Sequence, residues 1–208
     1  MISQGPMPPD PSQIDYKIIL EIVEPNSKVL DLGCGNGELI FLLAKGKNAK
    51  VQGIELDEQS IYKCVEKGLS VFHSDIDSGL PDYPDKSFDY VILNQSLQET
   101  KKADFVLDEA LRVGQNVIVG FPNFAFIEAR WSLFFGGKAP IIDSLPHHWY
   151  DTPNKHFLSI KDFKNFCKDK KIEVLNAYYL GRKKIVKLWP NLFALNAIFV
   201  LTKNKNRN

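Results

Sequence analysis

The sequence predicts an α/β fold built on a parallel, doubly wound sheet, and three observations support this prediction. Apolar segments of strand length alternate with segments of helical periodicity through five successive strands. The first strand, at residues 29–32, is short and largely apolar, which is typical of a strand covered on both faces, and it runs straight into a glycine-rich turn. Polar residues at 94–98 follow the fourth strand, at the edge where open α/β sheets bind ligands.

Each element has its own local signal. The first helix places isoleucine and valine at helical spacing and is ended by Pro25. Asp57 and Ser159 are suited to cap later helices, while Pro81 and Pro84 exclude a long helix after the third strand. In chain order we predict helices at 14–23, 39–43, 59–67, 103–111, between 124 and 137, and at 159–170, with strands at 29–32, 50–56, 69–73, 88–93, 116–120, 172–180 and 195–202.

Length and composition favour one domain, because 208 residues with 44% hydrophobic content suit a single sizeable core. We expect a disordered N-terminus at 1–12, one domain at 13–203, and a disordered tail at 204–208. An aromatic insertion at about 121–157 includes a loop, 138–157, that is longer than compact domains usually contain without a purpose.

Charge and cysteine usage exclude several classes of function. The 26 basic and 25 acidic residues leave a net charge of +1, which argues against a nucleic-acid partner. The three cysteines are far apart and lack C-x-x-C spacing, so neither disulfides nor a metal site is expected. The apolar run at 192–201 is short and interrupted by Asn196, and the N-terminus lacks a signal-peptide pattern. We therefore expect a cytoplasmic protein without a membrane span.

The turn after the first strand has the spacing G-x-G-x-G at Gly33, Gly35 and Gly37, whereas the dinucleotide fingerprint is G-x-G-x-x-G. The turn resembles motif I of class I S-adenosylmethionine (SAM) methyltransferases. SAM presents a carboxylate, an ammonium and a sulfonium rather than a pyrophosphate, and Asp31 suits the ammonium. Glu55 ends the second strand 18 residues after Gly37, where a carboxylate can accept ribose hydroxyls. Alternatives remain for each feature. The glycines could simply shape a tight turn, and Glu55 could be an ordinary solvated carboxylate at a strand end. The protein could also be a nicotinamide-binding enzyme.

Several further motifs carry a family resemblance that covers most of the chain. They are G-I-E-L-D at 53–57, F-D-Y-V-I-L at 88–93, F-P-N-F at 121–124, and W-Y-D-T-P-N at 149–154 with His156. With the glycine motif, they resemble the MetW family of methionine-biosynthesis proteins. The resemblance implies a three-layer, Rossmann-like sheet of the class I SAM methyltransferase type, with seven strands and the last one antiparallel. It also implies SAM or S-adenosylhomocysteine as cofactor and homoserine O-acyltransferase as partner.

The cofactor-binding residues follow from the glycine motif and from this resemblance. Asp75 or Ile76 is expected against the adenine, although Asp75 also suits the cap of a turn. Asn94 is expected to offer its backbone carbonyl to the ammonium. The full predicted set is Asp31, Gly33, Cys34, Gly35, Gly37, Glu55, Leu56, Asp75, Ile76, Asn94 and Gln95.

No catalytic residue can be assigned from the sequence. Methyl transfer needs positioning and an acceptor base, and histidines between prolines in a long loop are more often exposed turn or interface residues. Cys34 would need a neighbouring base to act as a nucleophile. Two functions remain open: a SAM-binding partner or regulatory subunit, which is favoured, and a catalytic small-molecule methyltransferase. The polar candidates near the expected cavity are His147, His148, Tyr150, Asp151 and His156.

The segment 121–156 is expected to contact the acyltransferase, because aromatic residues rimmed by polar groups are typical of interface centres. Trp149 is the expected anchor. The alternative is that Trp149 closes the domain's own core.

Overall fold

The computed structural model describes residues 12–203, which form a seven-stranded sheet between two layers of helices. The strands are β1 Lys28–Leu32, β2 Lys50–Glu55, β3 Val71–His73, β4 Phe88–Asn94, β5 Gly114–Pro122, β6 Ile172–Leu180 and β7 Asn196–Lys203. The helices are α1 Ser12–Ile22, α2 Glu38–Lys47, α3 Glu58–Glu66, α4 Ala103–Val113, α5 Ile127–Gly136, α6 Ile160–Asp169 and α7 Pro190–Phe193, with two short 3-10 helices at Ile76–Ser78 and Leu97–Glu99.

The strand order is β3-β2-β1-β4-β5-β7-β6. The pairs from β3 through β5 are parallel, and β7 runs antiparallel to both of its neighbours. This confirms the predicted seven-stranded sheet with an antiparallel last strand. The order reverses between β1 and β4, and this reversal creates the crevice in which doubly wound sheets bind ligands.

Alternate residues of the central strands enter two different hydrophobic cores, as a three-layer fold requires. Along β4, Val91 and Leu93 face the core that contains α4 and α6, whereas Tyr90 and Ile92 face the core that contains α1 and α2. Strand β5 alternates in the same way. The sheet is therefore buried on both faces in its centre.

Local hydrogen bonds explain where element boundaries differ from the predicted ones. Strand β3 begins at Val71 rather than at Leu69, because the backbone N–H of Leu69 donates to the carbonyl of Cys64 and so closes the end of α3. Helix α5 begins at Ile127, because the side chain of Asn123 accepts from the N–H of Ala125 and holds the preceding residues in a turn. Helix α7 was not predicted.

The predicted tail at 204–208 lies outside the described residues, as does the predicted N-terminal segment except for Ser12, which begins α1. Within residues 12–203, no helix is long and apolar enough to cross a membrane. The same range contains no group of three or more His, Cys, Asp or Glu side chains that could hold a metal ion.

Candidate functional site

A cavity of about 600 Å³ opens where β1, β2, β3 and β4 end. Loops that follow neighbouring parallel strands meet at one edge of the sheet, and this edge is the usual ligand site of the architecture. Of the predicted site residues, those lining the cavity are Gly33, Gly35, Glu55, Leu56, Asp75, Ile76 and Gln95. Those that do not line it are Asp31, Cys34, Gly37 and Asn94.

The loop after β1 depends on glycine for its shape. Gly33, Gly35 and Gly37 all have left-handed backbone conformations, with φ of +78°, +52° and +78°. A Cβ on Gly33 would lie 2.8 Å from the Cβ of Ser96, so a side chain there would collide with the loop after β4. A Cβ on Gly37 would lie 2.6 Å from Leu69 Cδ1. Gly33 therefore keeps two cavity walls close together, while Gly37 lets α2 pack against the end of α3.

Glu55 holds the glycine loop against the end of β2. Its Oε2 accepts from the N–H of Gly35 at 2.8 Å, and its Oε1 accepts from the N–H groups of Leu56 and Asp57 at 2.7 and 2.9 Å. A carboxylate has about four lone-pair sites. Oε2 therefore retains one acceptor site that suits a hydroxyl, whereas holding two hydroxyls requires one backbone contact to loosen.

Asp31 lies within β1 and is almost completely buried. Burial, and secondarily the charge of Glu55, raises the pKa of Asp31 from 3.8 to about 7. An ionised carboxylate in this environment is costly unless a cation compensates it. A ligand ammonium is a group that would provide this compensation.

The loop after β3 supplies Asp75 and Ile76. The Oδ1 of Asp75 accepts from the N–H of Asp77 at 2.9 Å, and this bond caps the 3-10 helix at Ile76–Ser78. The capping role considered for Asp75 is therefore present. Because both residues also line the cavity, their contact with an adenine stays a prediction that is compatible with the cap.

The end of β4 is fixed by a tight approach to β5. Gln95 adopts φ of +61°, its N–H donates to the carbonyl of Gly120 at 2.8 Å, and its Nε2 donates to Asp15 Oδ2 at 3.2 Å. A Cβ on Gly120 would lie only 2.1 Å from Asn94 Oδ1, so a side chain there would displace the Asn94 amide. The expected role of the Asn94 carbonyl stays a prediction.

The cavity also contains residues that were not predicted from the sequence. Glu99 and Lys101 come from the loop after β4, and Pro153 and Lys155 come from the long loop before α6. Burial raises the pKa of Glu99, and the positive charge of Lys155 opposes this rise. The polar continuation of β4 was the available signal for Glu99, whereas nothing in the sequence placed Lys155 beside it.

The polar candidates for an acceptor base are exposed and do not line the cavity: His147, His148, Tyr150, Asp151 and His156. Their loop contributes Pro153 and Lys155 instead. At Cys34, burial and then the charge of Asp31 raise the pKa of the thiol well above its ordinary value. Cys34 therefore stays protonated and is unsuited to act as a nucleophile.

Helix α5 presents an aromatic face to solvent. Of its ten residues, only Ala129 is buried. Trp131 and Phe135 stack at 4.4 Å between ring centroids, and Phe134 is 81% exposed beside them. Helices of this length are stabilised mainly by packing against the rest of the protein, and α5 has little such packing. An exposed apolar face of this kind is typical of a surface that binds another molecule.

The rest of the aromatic segment divides between core and surface. Phe121 is fully buried and packs on Phe163 and Phe199, whereas Trp149 is 77% exposed beside the exposed ring of Tyr150. The alternative that Trp149 closes the domain's own core is therefore wrong.

The seven-stranded topology, the glycine loop and the cavity define the class: this chain has the fold of class I SAM-dependent methyltransferases. A SAM-dependent methyltransferase from Thermotoga maritima superposes with a TM-score of 0.66 at 16% identity, covering 93% of this chain and 89% of that chain. An S-adenosylmethionine-dependent methyltransferase from Mesorhizobium loti gives a TM-score of 0.68 at 14% identity, covering 93% of this chain and 98% of that chain. At these identities, the likeness shows the fold alone.

Within this fold, the chain belongs to the MetW family, since the family described as methionine biosynthesis protein MetW matches residues 13–201. A relative, the bifunctional methionine biosynthesis protein MetXA/MetW of Rhodopirellula baltica, is 35% identical over 161 residues. The aligned region covers 73% of this chain but 26% of that protein, so this chain spans about a quarter of its relative's length. The resemblance to MetW is confirmed.

Proposed function

We propose that this protein binds SAM or S-adenosylhomocysteine and acts as a partner or regulatory subunit of homoserine O-acyltransferase in methionine biosynthesis. The observation that carries the proposal is a cavity lined by the glycine loop and Glu55 in a chain of the MetW family. When bound, SAM supplies an electrophilic methyl group, whereas S-adenosylhomocysteine lacks it.

The residues that line the cavity, and Asp31 in the strand that leads into it, suit this type of ligand. Gly33 keeps the wall open where a side chain would collide with Ser96, Glu55 retains an acceptor site for a hydroxyl, and buried Asp31 suits a cation. The loop has the G-x-G-x-G spacing rather than the spacing that seats a pyrophosphate. These features favour SAM and S-adenosylhomocysteine over NAD.

Two observations support the acyltransferase as partner: the name of a relative and an exposed aromatic surface on this chain. The name of the relative from Rhodopirellula baltica joins MetXA and MetW in one bifunctional protein. In this chain, the outer face of α5 and the exposed pair Trp149 and Tyr150 offer aromatic anchors. The first turn of α5 is held by Arg182, whose guanidinium donates to both carboxylate oxygens of Glu128 at 2.7 and 2.9 Å. This exposed ion pair joins the first turn of α5 to the loop after β6.

Replacing Trp149 by alanine is expected to weaken the complex with the acyltransferase by about 2 kcal/mol or more. Because Trp149 is exposed, S-adenosylhomocysteine affinity and the melting temperature should stay nearly unchanged. Sedimentation of variant and partner measures the complex, and a thermal melt checks the fold. Tyr62→Ala, which removes an exposed aromatic ring from α3, is the matched control. An unweakened complex with Trp149→Ala would remove Trp149 from the interface.

A pull-down from the native cell, with and without added S-adenosylhomocysteine, tests the partner directly. Mass spectrometry should identify the acyltransferase in the captured material. Absence of the acyltransferase from both samples, with the bait folded and in excess, would contradict the partner role.

A catalytic small-molecule methyltransferase is the second candidate, and Glu99 is the observation that favours it. Glu99 lines the cavity, and burial raises the pKa of its carboxyl, which makes it a stronger base than an exposed glutamate. The carbonyl of the same residue is already held by the Nζ of Lys155. Glu99 is therefore the residue to replace if turnover is found.

We expect no robust methyl transfer to free amino acids such as homoserine, because the exposed histidines lie outside the cavity lining. The measurement is transfer of label from methyl-labelled SAM. Turnover that is abolished by Gly35→Val and retained by Tyr62→Ala would support the catalytic candidate. Valine at φ of +52° is strained, so the Gly35 variant disrupts the loop.

A further inference from the structure

The four residues Pro153, Asn154, Lys155 and His156, hereafter the strap, tie the long loop to the loop after β4. The N–H groups of Lys155 and His156 both donate to the carbonyl of Gln98, at 2.8 and 3.0 Å. The Nζ of Lys155 donates to the carbonyl of Glu99. The strap is thus attached to a segment that forms one wall of the cavity.

The strap also forms part of the cavity itself. Pro153 and Lys155 line the same space as Gly33, Gly35 and Glu55. A ligand that fills this space therefore contacts two elements that are distant in sequence, the glycine loop and the strap.

Few other interactions fix the position of the strap. No residue between Leu145 and Ser159 is buried, and the strap has no helical or strand structure. Segments with few buried contacts and solvent-exposed hydrogen bonds lie at the low-stability end of a protein. A ligand that contacts the strap only when it lies against the loop after β4 would therefore raise the population of that closed conformation.

The exposed aromatic cluster lies immediately before the strap in the chain. His148 and Tyr150 stack at 5.2 Å between ring centroids, and Trp149 meets the Tyr150 ring edge-on at 5.7 Å. The position of the strap therefore limits where this cluster can be presented.

We infer that the strap senses the ligand: SAM or S-adenosylhomocysteine in the cavity stabilises the closed strap and so orders the Trp149–Tyr150 surface for the acyltransferase. This inference rests on the proposed function and adds its regulation. Linkage requires reciprocity, so the acyltransferase tightens ligand binding by the same factor as the ligand tightens the complex. We expect a factor of about ten, within the usual range for coupled sites.

Hydrogen exchange tests the strap without the partner. With S-adenosylhomocysteine bound, a peptide spanning 146–158 should exchange more slowly, because the amides of Lys155 and His156 are the donors to Gln98. A peptide from β7 serves as the reference, since that strand is already buried and paired on both sides. Unchanged exchange at 146–158 under saturating ligand would overturn the inference and leave the proposed function intact.

A pair of variants at one position tests the coupling. His156→Pro removes the N–H that donates to Gln98, whereas His156→Ala keeps it; the side chain of His156 does not line the cavity. Titrating S-adenosylhomocysteine with and without the acyltransferase should show the tenfold coupling in wild type and His156→Ala but not in His156→Pro. The inference that the strap couples the two sites would be overturned if a folded His156→Pro variant kept the coupling. It would also be overturned if wild type bound both molecules without coupling. Wild type that binds no acyltransferase would overturn the partner role as well.

Discussion

Replacing Glu55 by alanine is expected to weaken S-adenosylhomocysteine binding by about 2 to 4 kcal/mol, on the order of a hundredfold in affinity. The carboxylate is the group expected to accept a ribose hydroxyl, or both if one backbone contact loosens, and it also holds the N–H of Gly35 in the loop that lines the cavity. Calorimetric titration measures the affinity. Glu58→Ala removes an exposed carboxylate at the start of the next helix and is the matched control.

The two contributions of Glu55 can be separated with a ligand that lacks the ribose hydroxyls. Wild type should lose affinity for a 2′,3′-dideoxy analogue of S-adenosylhomocysteine, whereas Glu55→Ala should bind the analogue and the parent ligand equally. A variant that still prefers the parent ligand by the wild-type factor would show that Glu55 shapes the loop and does not hold the ribose.

Replacing Asp31 by asparagine is expected to stabilise the free protein while it weakens ligand binding. The pKa of Asp31 is about 7 in the fold against an ordinary value of 3.8, chiefly because of burial. Below about pH 4 the carboxyl is protonated in the folded and the unfolded chain, so it has no effect on stability. Between pH 4 and 7 the unfolded chain loses this proton first, and stability falls. At pH 8 the penalty is complete, on the order of 2 to 4 kcal/mol.

Asp31→Asn should therefore raise the free energy of unfolding at pH 8 and change it little at pH 4, as denaturant titrations at both values would show. Ligand binding should respond oppositely. A neutral side chain cannot compensate an ammonium, so wild-type affinity should fall as pH drops below about 7, and the variant should lose this dependence. A variant that is no more stable than wild type at pH 8 would contradict the buried-carboxylate assignment.

The sheet was predictable because its signals are local. Residues 29–32 and 88–93 are apolar runs of strand length. They are distinguished from the helices, in which apolar residues recur at helical spacing. Boundaries were less predictable because they depend on individual hydrogen bonds. The Asn123 side chain delays the start of α5, and the Leu69 N–H closes α3 instead of opening β3. The antiparallel β7 followed from the family resemblance rather than from periodicity.

The site was predictable where its residues directly follow strands. Gly33, Glu55, Asp75 and Gln95 all come from strand ends, and the topology brings them to one cavity. Lys155 was not predictable, because its place depends on hydrogen bonds to the carbonyls of Gln98 and Glu99, more than fifty residues away. Every residue has a backbone carbonyl, so the sequence does not show which carbonyls accept these hydrogen bonds.

Binding of S-adenosylhomocysteine is the central claim, and a calorimetric titration of the wild-type chain tests it most directly. The cavity, its G-x-G-x-G loop and the carboxylates of Asp31 and Glu55 predict saturable binding of S-adenosylhomocysteine and SAM, with no saturable binding of NAD under the same conditions. Saturable NAD binding, or a folded protein that takes up neither S-adenosylhomocysteine nor SAM, would contradict the account.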